Sequence, residues 1–237
     1  MSFETLTLDQ FKLANETLGT KNLPNSMVFA NAYKAMDHIN DRSIDLICTD
    51  LPYKKSKNLD WDEEEVPLDV LWKHYERIIK PNGVIVLTGD QPFTSKLILS
   101  NLDLFKYLIV YQKTTPTGHL NAKKQPLRSH EDIIVFYKFQ PTYIPQKTTG
   151  HPRKTVSASA KKKCVIDANQ KESVYGKGLP EKVEGYDSTE RYPTSVWTFS
   201  TDKQKGCFHP TQKPLSLIET IIKTYSNEGD LVLDSHA

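Results

Sequence analysis

The amino-acid sequence predicts an α/β fold built on a largely parallel sheet. Three observations point there. Short runs of consecutive apolar residues recur, as in "SIDLICT" (43–49), "VIVLTG" (84–89), "YLIVYQK" (107–113) and "DIIVFYK" (132–138); unbroken runs of this kind mark strands buried on both faces. Segments with apolar residues at steps of three and four alternate with them, the pattern of helices packed on a sheet. And 38% hydrophobic with 25% charged residues over 237 positions is enough to bury a sizeable core.

The elements follow in chain order. Met27 to Ala30 is a short apolar run, and Ala32 to His38 is a helical turn before the strand at Ser43 to Thr49. Leu68, Leu71, Trp72, Tyr75, Ile78 and Ile79 lie on one helix face, with Pro81-Asn82-Gly83 as the helix end. After the strand Val84 to Gly89, a helix from Pro92 to Ser100 opens on a proline in its first turn. Two strands, Tyr107 to Lys113 and Asp132 to Lys138, come next. From Phe139 to Pro193 the pattern dissolves into Pro, Gly, Thr, Ser and Lys, a loop-rich insertion. Order returns with a strand at Ser195 to Phe199. A helix from Pro214 to Tyr225 is expected to bury Leu215, Ile218, Ile222 and Tyr225. Leu231 to Asp234 is the last strand. Three regions result: 1–138, an insertion at 139–194, and 195–237.

The N-terminus has no basic start followed by an apolar run, and no apolar stretch is long enough to span a bilayer. No membrane association and a cytoplasmic location are expected. Cys48, Cys164 and Cys207 are odd in number and far apart, which argues against a disulfide framework and a zinc knuckle; no metal site is expected. Net charge is +2, unevenly spread. From Lys106 to Lys163 there are ten Lys and two Arg against Glu131 and Asp132. A basic middle in a near-neutral chain fits a polyanion partner on one face, or a plain solvated surface.

The strand ending at Thr49 runs into "DLPY", 50–53. A proline-stiffened loop at a strand end is where open α/β sheets place their sites. Asp50 offers a carboxylate that accepts hydrogen bonds. Pro52 restricts the backbone so that the Leu51 carbonyl can be held in one direction. Tyr53 offers a flat ring. Two fixed acceptors and an aromatic face match an aryl amine such as N6 of adenine, with the ring stacked on an extruded base. The bland alternative is an ordinary strand-ending turn.

Several segments together carry a resemblance. "TDLPY" resembles the Asp-Pro-Pro-Tyr signature of amino-group DNA methyltransferases. Tyr111 to Lys138 is similar to the segment that follows the catalytic half in that family. "FHPTQKPLSLIETIIKTYSNEGDLVLD", 208–234, resembles its cofactor-side segment. Catalytic half first, target-recognition region next and cofactor half last is the β-type, circularly permuted order. The resemblance implies a Rossmann-like methyltransferase sheet with an inserted target-recognition region, S-adenosylmethionine as cofactor and double-stranded DNA as substrate. It implies that Asp50, Leu51, Pro52 and Tyr53 hold the target base. His209, Pro210, Thr211, Gln212, Lys213 and Asp234 would shape the cofactor pocket. Lys123, Lys124 and Arg128, with Lys161, Lys162 and Lys163 in the variable region, would contact phosphates. Asp rather than Ser at position 50 leans toward adenine N6 over cytosine N4. A homodimer and a cognate restriction endonuclease are the partners such relatives suggest.

The sequence departs from that pattern twice. Leu51 stands where the family has proline, which keeps the carbonyl but restores backbone freedom. After Asp234 the family runs into a Pro-Phe-x-Gly-x-Gly turn, and here the last residues are Ser235, His236 and Ala237. That departure raises the expectation of a truncated cofactor pocket. An inactive DNA-binding remnant is thus the alternative to an active enzyme, and N4-cytosine methylation the alternative within the enzyme class.

Overall fold

The computed structural model describes residues 4–23, 25–53, 66–158, 186–200 and 212–236. They fall into two compact units, one of residues 1–144 with 194–237 and the other of 145–193.

In the larger unit the chain opens with β1 (Glu4–Thr7) and α1 (Leu8–Leu18), then β2 (Ser26–Phe29) and α2 (Ala32–Met36). β1 and β2 form a small parallel pair. The N-terminal strand and helix were not expected from the sequence. Their signal is a capping box: the Thr7 hydroxyl accepts from the Gln10 backbone N–H and the Gln10 side chain accepts from the Thr7 N–H.

The larger unit continues with β3 (Ile44–Asp50), α3 (Leu68–Ile78), β4 (Ile79–Gly89), α4 (Phe93–Ser100), β5 (Phe105–Thr117) and β6 (Arg128–Phe136); in the smaller unit β7 (Lys154–Val156) pairs antiparallel with β8 (Tyr186–Ser188). β9 (Val196–Phe199), α5 (Leu215–Tyr225) and β10 (Val232–Leu233) complete the larger unit.

Its main sheet has six strands in the order β10-β3-β4-β6-β5-β9. β10, β3 and β4 run parallel, as do β5 and β9. β6 runs against both its neighbours. The last strand of the chain thus lies beside β3, with Val232 opposite Leu46.

The continuous apolar runs are explained by burial on both faces. Ile47, Ile85, Leu87, Ile134 and Phe136 face Leu71, Trp72, Tyr75 and Ile78 of α3 and Phe93 and Leu97 of α4. Leu46, Cys48, Val84, Val86, Ile133 and Val135 face the other way, toward Trp197 and toward Leu217, Ile221 and Tyr225 of α5.

Two sequence expectations are corrected. Pro81-Asn82-Gly83 does not end the third helix in a loop; β4 follows α3 directly and contains all three residues. And α5 is rotated from the expected face: Leu217, Ile221, Thr224 and Tyr225 are buried, while Leu215 is 72% exposed. "LSLIETIIKTY" carries two overlapping apolar stripes, and packing on the sheet selects one.

Candidate active site

The site is built where β3 and β4 end together. Parallel pairing sets Asp50 opposite Thr88, and antiparallel pairing sets Gly89 opposite Asp132 on β6, so that Glu131 enters the same end of the sheet. The Gly89 position is narrow: a Cβ there would lie 2.7 Å from Thr94 Oγ1.

Asp50 is the hub. Its Oδ1 accepts from the Tyr53 hydroxyl at 2.5 Å and from the Thr88 hydroxyl. Its Oδ2 accepts from Lys213 Nζ at 2.7 Å. Lys213 also lies 3.3 Å from Glu131 Oε2, and Glu131 Oε1 accepts from Lys113 Nζ of β5. Two carboxylates and two ammonium groups alternate across β3, β5, β6 and the segment leading into α5. Lys113, Glu131 and Lys213 have side-chain exposures of 11–15%, while Asp50 keeps 34%. The Lys213 pKa carries opposed influences. Burial, the largest, lowers it, but the charges of Asp50 and Glu131 and their hydrogen bonds prevail and raise it. Lys213 is therefore cationic at every physiological pH.

Tyr53 does not stand open to solvent as the sequence suggested. Its ring packs at 5.3 Å from that of Phe93, and Lys213 Nζ lies 5.4 Å from its centroid. Burial, with the Asp50 charge second, holds its hydroxyl well above its usual pKa. Leu51 is buried, and its carbonyl accepts no hydrogen bond among the described residues. Two cavities outlined by described residues lie away from Asp50. One is lined by Asp45, Asn82 and Asp230, the other by Arg42, Pro81 and Phe139. Residues 54–65 and 201–211, which neighbour the corner in sequence, lie outside the described residues.

The other expected site residues fall in three places. Asp234 follows β10, beside β3. Its Oδ1 accepts the His236 backbone N–H at 3.1 Å, and burial of the carboxyl raises its pKa above the usual range. Ser235 links this end to the sheet: its N–H donates to Thr49 Oγ1 at 3.1 Å and its hydroxyl lies 2.6 Å from the Tyr75 hydroxyl. Gln212 is exposed. Lys213 lies on Asp50, at the same end of the sheet as Asp234. Lys123 and Lys124 are exposed in the turn after His119–Asn121. Arg128 is half-exposed, and its guanidinium donates to Asp90 Oδ2 at 2.9 Å. His209, Pro210, Thr211, Lys161, Lys162 and Lys163 lie outside the described residues.

Glu131, Thr88 and Lys113 were missed by sequence reasoning. Glu131 sits in an apolar run beside Asp132, and paired acids opening a buried strand were the available signal.

A match to a known family decides the lineage. The profile of the DNA methylase family N6_N4_Mtase matches residues 44–237. This chain belongs to that family. Among curated DNA methylases it is similar to the Type II methyltransferase M.HpaI of Haemophilus parainfluenzae, 27% identical over 226 residues, which are 88% of this chain and 62% of the relative. It is also similar to the DNA adenine methyltransferase YhdJ of Escherichia coli (strain K12), 27% identical over 228 residues, 90% of this chain and 71% of YhdJ. The chain thus spans less than two thirds of M.HpaI. Among solved structures it resembles PvuII DNA methyltransferase (cytosine-N4-specific), at a TM-score of 0.58 and 14% identity over 88% of this chain and 73% of the other. That likeness establishes the Rossmann-like methyltransferase sheet. In this family member the permuted order is visible in the pairing of β10, last in sequence, with β3.

Proposed function

We propose that this chain is a site-specific DNA methyltransferase that moves a methyl group from S-adenosylmethionine to N6 of adenine in double-stranded DNA. The observation that carries the reading is the state of the acceptors at the end of β3. A carboxylate has about four lone-pair positions. Tyr53 and Thr88 take both on Asp50 Oδ1, Lys213 takes one on Oδ2, and one remains. The Leu51 carbonyl is also open among the described residues. An exocyclic amine has two N–H donors, one for each acceptor.

Asp50 and the Leu51 carbonyl then hold the amine nitrogen in one orientation, and orientation alone lowers the barrier to transfer. As positive charge builds on that nitrogen, the two acceptors stabilise it more strongly than they stabilise the neutral amine. Tyr53 and Thr88 fix the carboxylate in place through Oδ1, and the Tyr53 ring packs on the base.

The chemistry of Asp234 fits that cofactor. Its carboxyl has a raised pKa and no cation paired to it among the described residues. An ammonium group is the partner it lacks, and S-adenosylmethionine carries one at its amino-acid end. When bound, that cofactor supplies an electrophilic methyl group on sulfur. Asp234, held beside Thr49 by the Ser235 bonds, would hold the ammonium end.

Lys123 and Lys124 supply a phosphate-facing charge pair, and the insertion reads sequence. A cognate restriction endonuclease is the functional partner the Type II relatives suggest. Cytosine N4 is also an exocyclic amine, so the same corner suits it, while Asp at position 50 and the similarity to YhdJ favour adenine. The test is to incubate the chain with S-adenosylmethionine and genomic DNA, digest the DNA to nucleosides and analyse them by mass spectrometry. N6-methyldeoxyadenosine is expected. N4-methyldeoxycytidine alone would overturn the adenine assignment, and no methylated nucleoside would overturn the activity.

A further inference from the structure

The ammonium of Lys213 crowds both features that a target amine is proposed to use, sharing Asp50 Oδ2 with the one open lone-pair position. It sits 2.7 Å from Asp50 Oδ2 and 5.4 Å from the centre of the Tyr53 ring. It is a cation with N–H donors, as a reacting exocyclic amine becomes. Left in place, it would compete for Oδ2 and oppose the positive charge developing on the target nitrogen, because like charges within a few ångströms repel strongly in a partly buried site.

The structure also supplies a second place for it. Glu131 Oε2 is buried and already lies 3.3 Å from the same nitrogen, a long ion-pair contact, with no other hydrogen-bond partner among the described residues. Glu131 is already tied by its other oxygen to Lys113, which fixes it as a stationary acceptor. A buried carboxylate oxygen held by one long contact is poorly satisfied, and a small displacement of the Lys213 ammonium would shorten that contact. Lys213 approaches from the residue before Pro214, the N-cap of α5, and its four-carbon stem carries rotatable bonds enough for that displacement.

We propose that Lys213 is a displaceable counter-ion. It neutralises Asp50 while the corner is empty, then moves to Glu131 when an exocyclic amine takes its place on Oδ2. The network stays neutral in both arrangements and no proton is transferred. Lys213 is a positioning residue in this account, and Glu131 is its resting place in the base-bound state. The inference rests on the reading of the Asp50 corner as the target-amine site.

The test follows the Lys213 side-chain ammonium by ¹H–¹⁵N NMR of the full chain, its signal identified by contacts to the Tyr53 ring protons. Two probes are compared, 9-ethyladenine and 9-ethylpurine, the same ring with and without the amine. Saturation transfer to the purine protons reports binding independently of any methylation. The expected result is a Lys213 shift with 9-ethyladenine, at least threefold smaller with 9-ethylpurine. In Glu131→Gln that shift is expected to fall by half or more, because the resting place has lost its charge. Equal shifts from the two bound purines would overturn the counter-ion role, as would a shift unaffected in folded Glu131→Gln. Saturation transfer to neither purine would overturn the amine-site reading itself and the counter-ion with it. The comparison of the two purines needs no variant, so it stands whether or not Glu131→Gln folds.

Discussion

Asp234 and Asp50 are carboxylates at the ends of neighbouring strands, yet they differ in company. Asp50 has Lys213 beside it, and Asp234 has no cation among the described residues. Its folded pKa is raised above the unfolded value near 4. The ionised form is therefore disfavoured by folding: the contribution to stability is full below about pH 4 and is lost as pH rises through the folded pKa. At pH 7 Asp234→Asn should raise stability. The gain is about a few tenths of a kcal/mol, because the residue packs among protein atoms but keeps an exposed surface through which water screens its charge, and it should vanish below about pH 4. Denaturant titrations at the two pH values check this. The same variant should bind S-adenosylmethionine about tenfold more weakly, a loss of roughly 1.4 kcal/mol, measured by calorimetry. At this scale the sequence disclosed Asp50, Leu51, Pro52 and Tyr53 because they are contiguous. It did not disclose that Lys213 meets Asp50 or that Glu131 joins them, because Lys213 lies 163 positions from Asp50 and only the fold brings the segment before α5 to the end of β3.

At the scale of elements, strands and helices with unbroken or periodic apolar patterns were legible: β3, the later part of β4, β5, β6, α3 and α4 all stand where the sequence put them, within a few residues. What the sequence hid was set by packing. Pro81-Asn82-Gly83 reads as a helix stop, yet Gly83 lies inside β4 because no side chain fits there. A Cβ at Gly83 would lie 2.9 Å from the Asp45 carbonyl oxygen of β3 and 2.8 Å from the Ile79 side chain. The pairing of β3 with β4 shifts register between Ile44 and Leu46, at this same approach. Gly83→Ala should therefore destabilise the protein by about 1–3 kcal/mol, the range for overpacking, read as a lower denaturation midpoint at unchanged slope. The buried face of α5 was hidden for a related reason. Its apolar residues outnumber the positions that one contact with a sheet can cover, so the helix leaves Leu215 outside. The pairing of β7 with β8 in the smaller unit had no apolar pattern to reveal it.

For the whole molecule, the order of segments was an informative feature of the sequence, since it pointed to the permuted arrangement in which the last strand of the chain lies in the main sheet, here beside β3. β10 beside β3 brings Asp234 and Asp50 to the same end of the sheet. Charge distribution supports a DNA partner at this scale. Phosphate contacts release counter-ions, so each one lost lowers the salt dependence of binding by about one unit of slope. The double variant Lys123→Ala, Lys124→Ala should weaken binding to duplexes of unrelated sequence alike and reduce the slope of log K against log salt by about 2. Fluorescence anisotropy at several salt concentrations checks it. The central claim is that the Asp50 carboxylate receives the target amine. The most direct measurement is single-turnover methyl transfer to duplex DNA by the parent chain and by Asp50→Ala, both shown to be folded. A fall of about 100-fold or more in the rate is expected, the scale of losing one group that stabilises developing charge. An Asp50→Ala rate equal to that of an active parent would contradict the account.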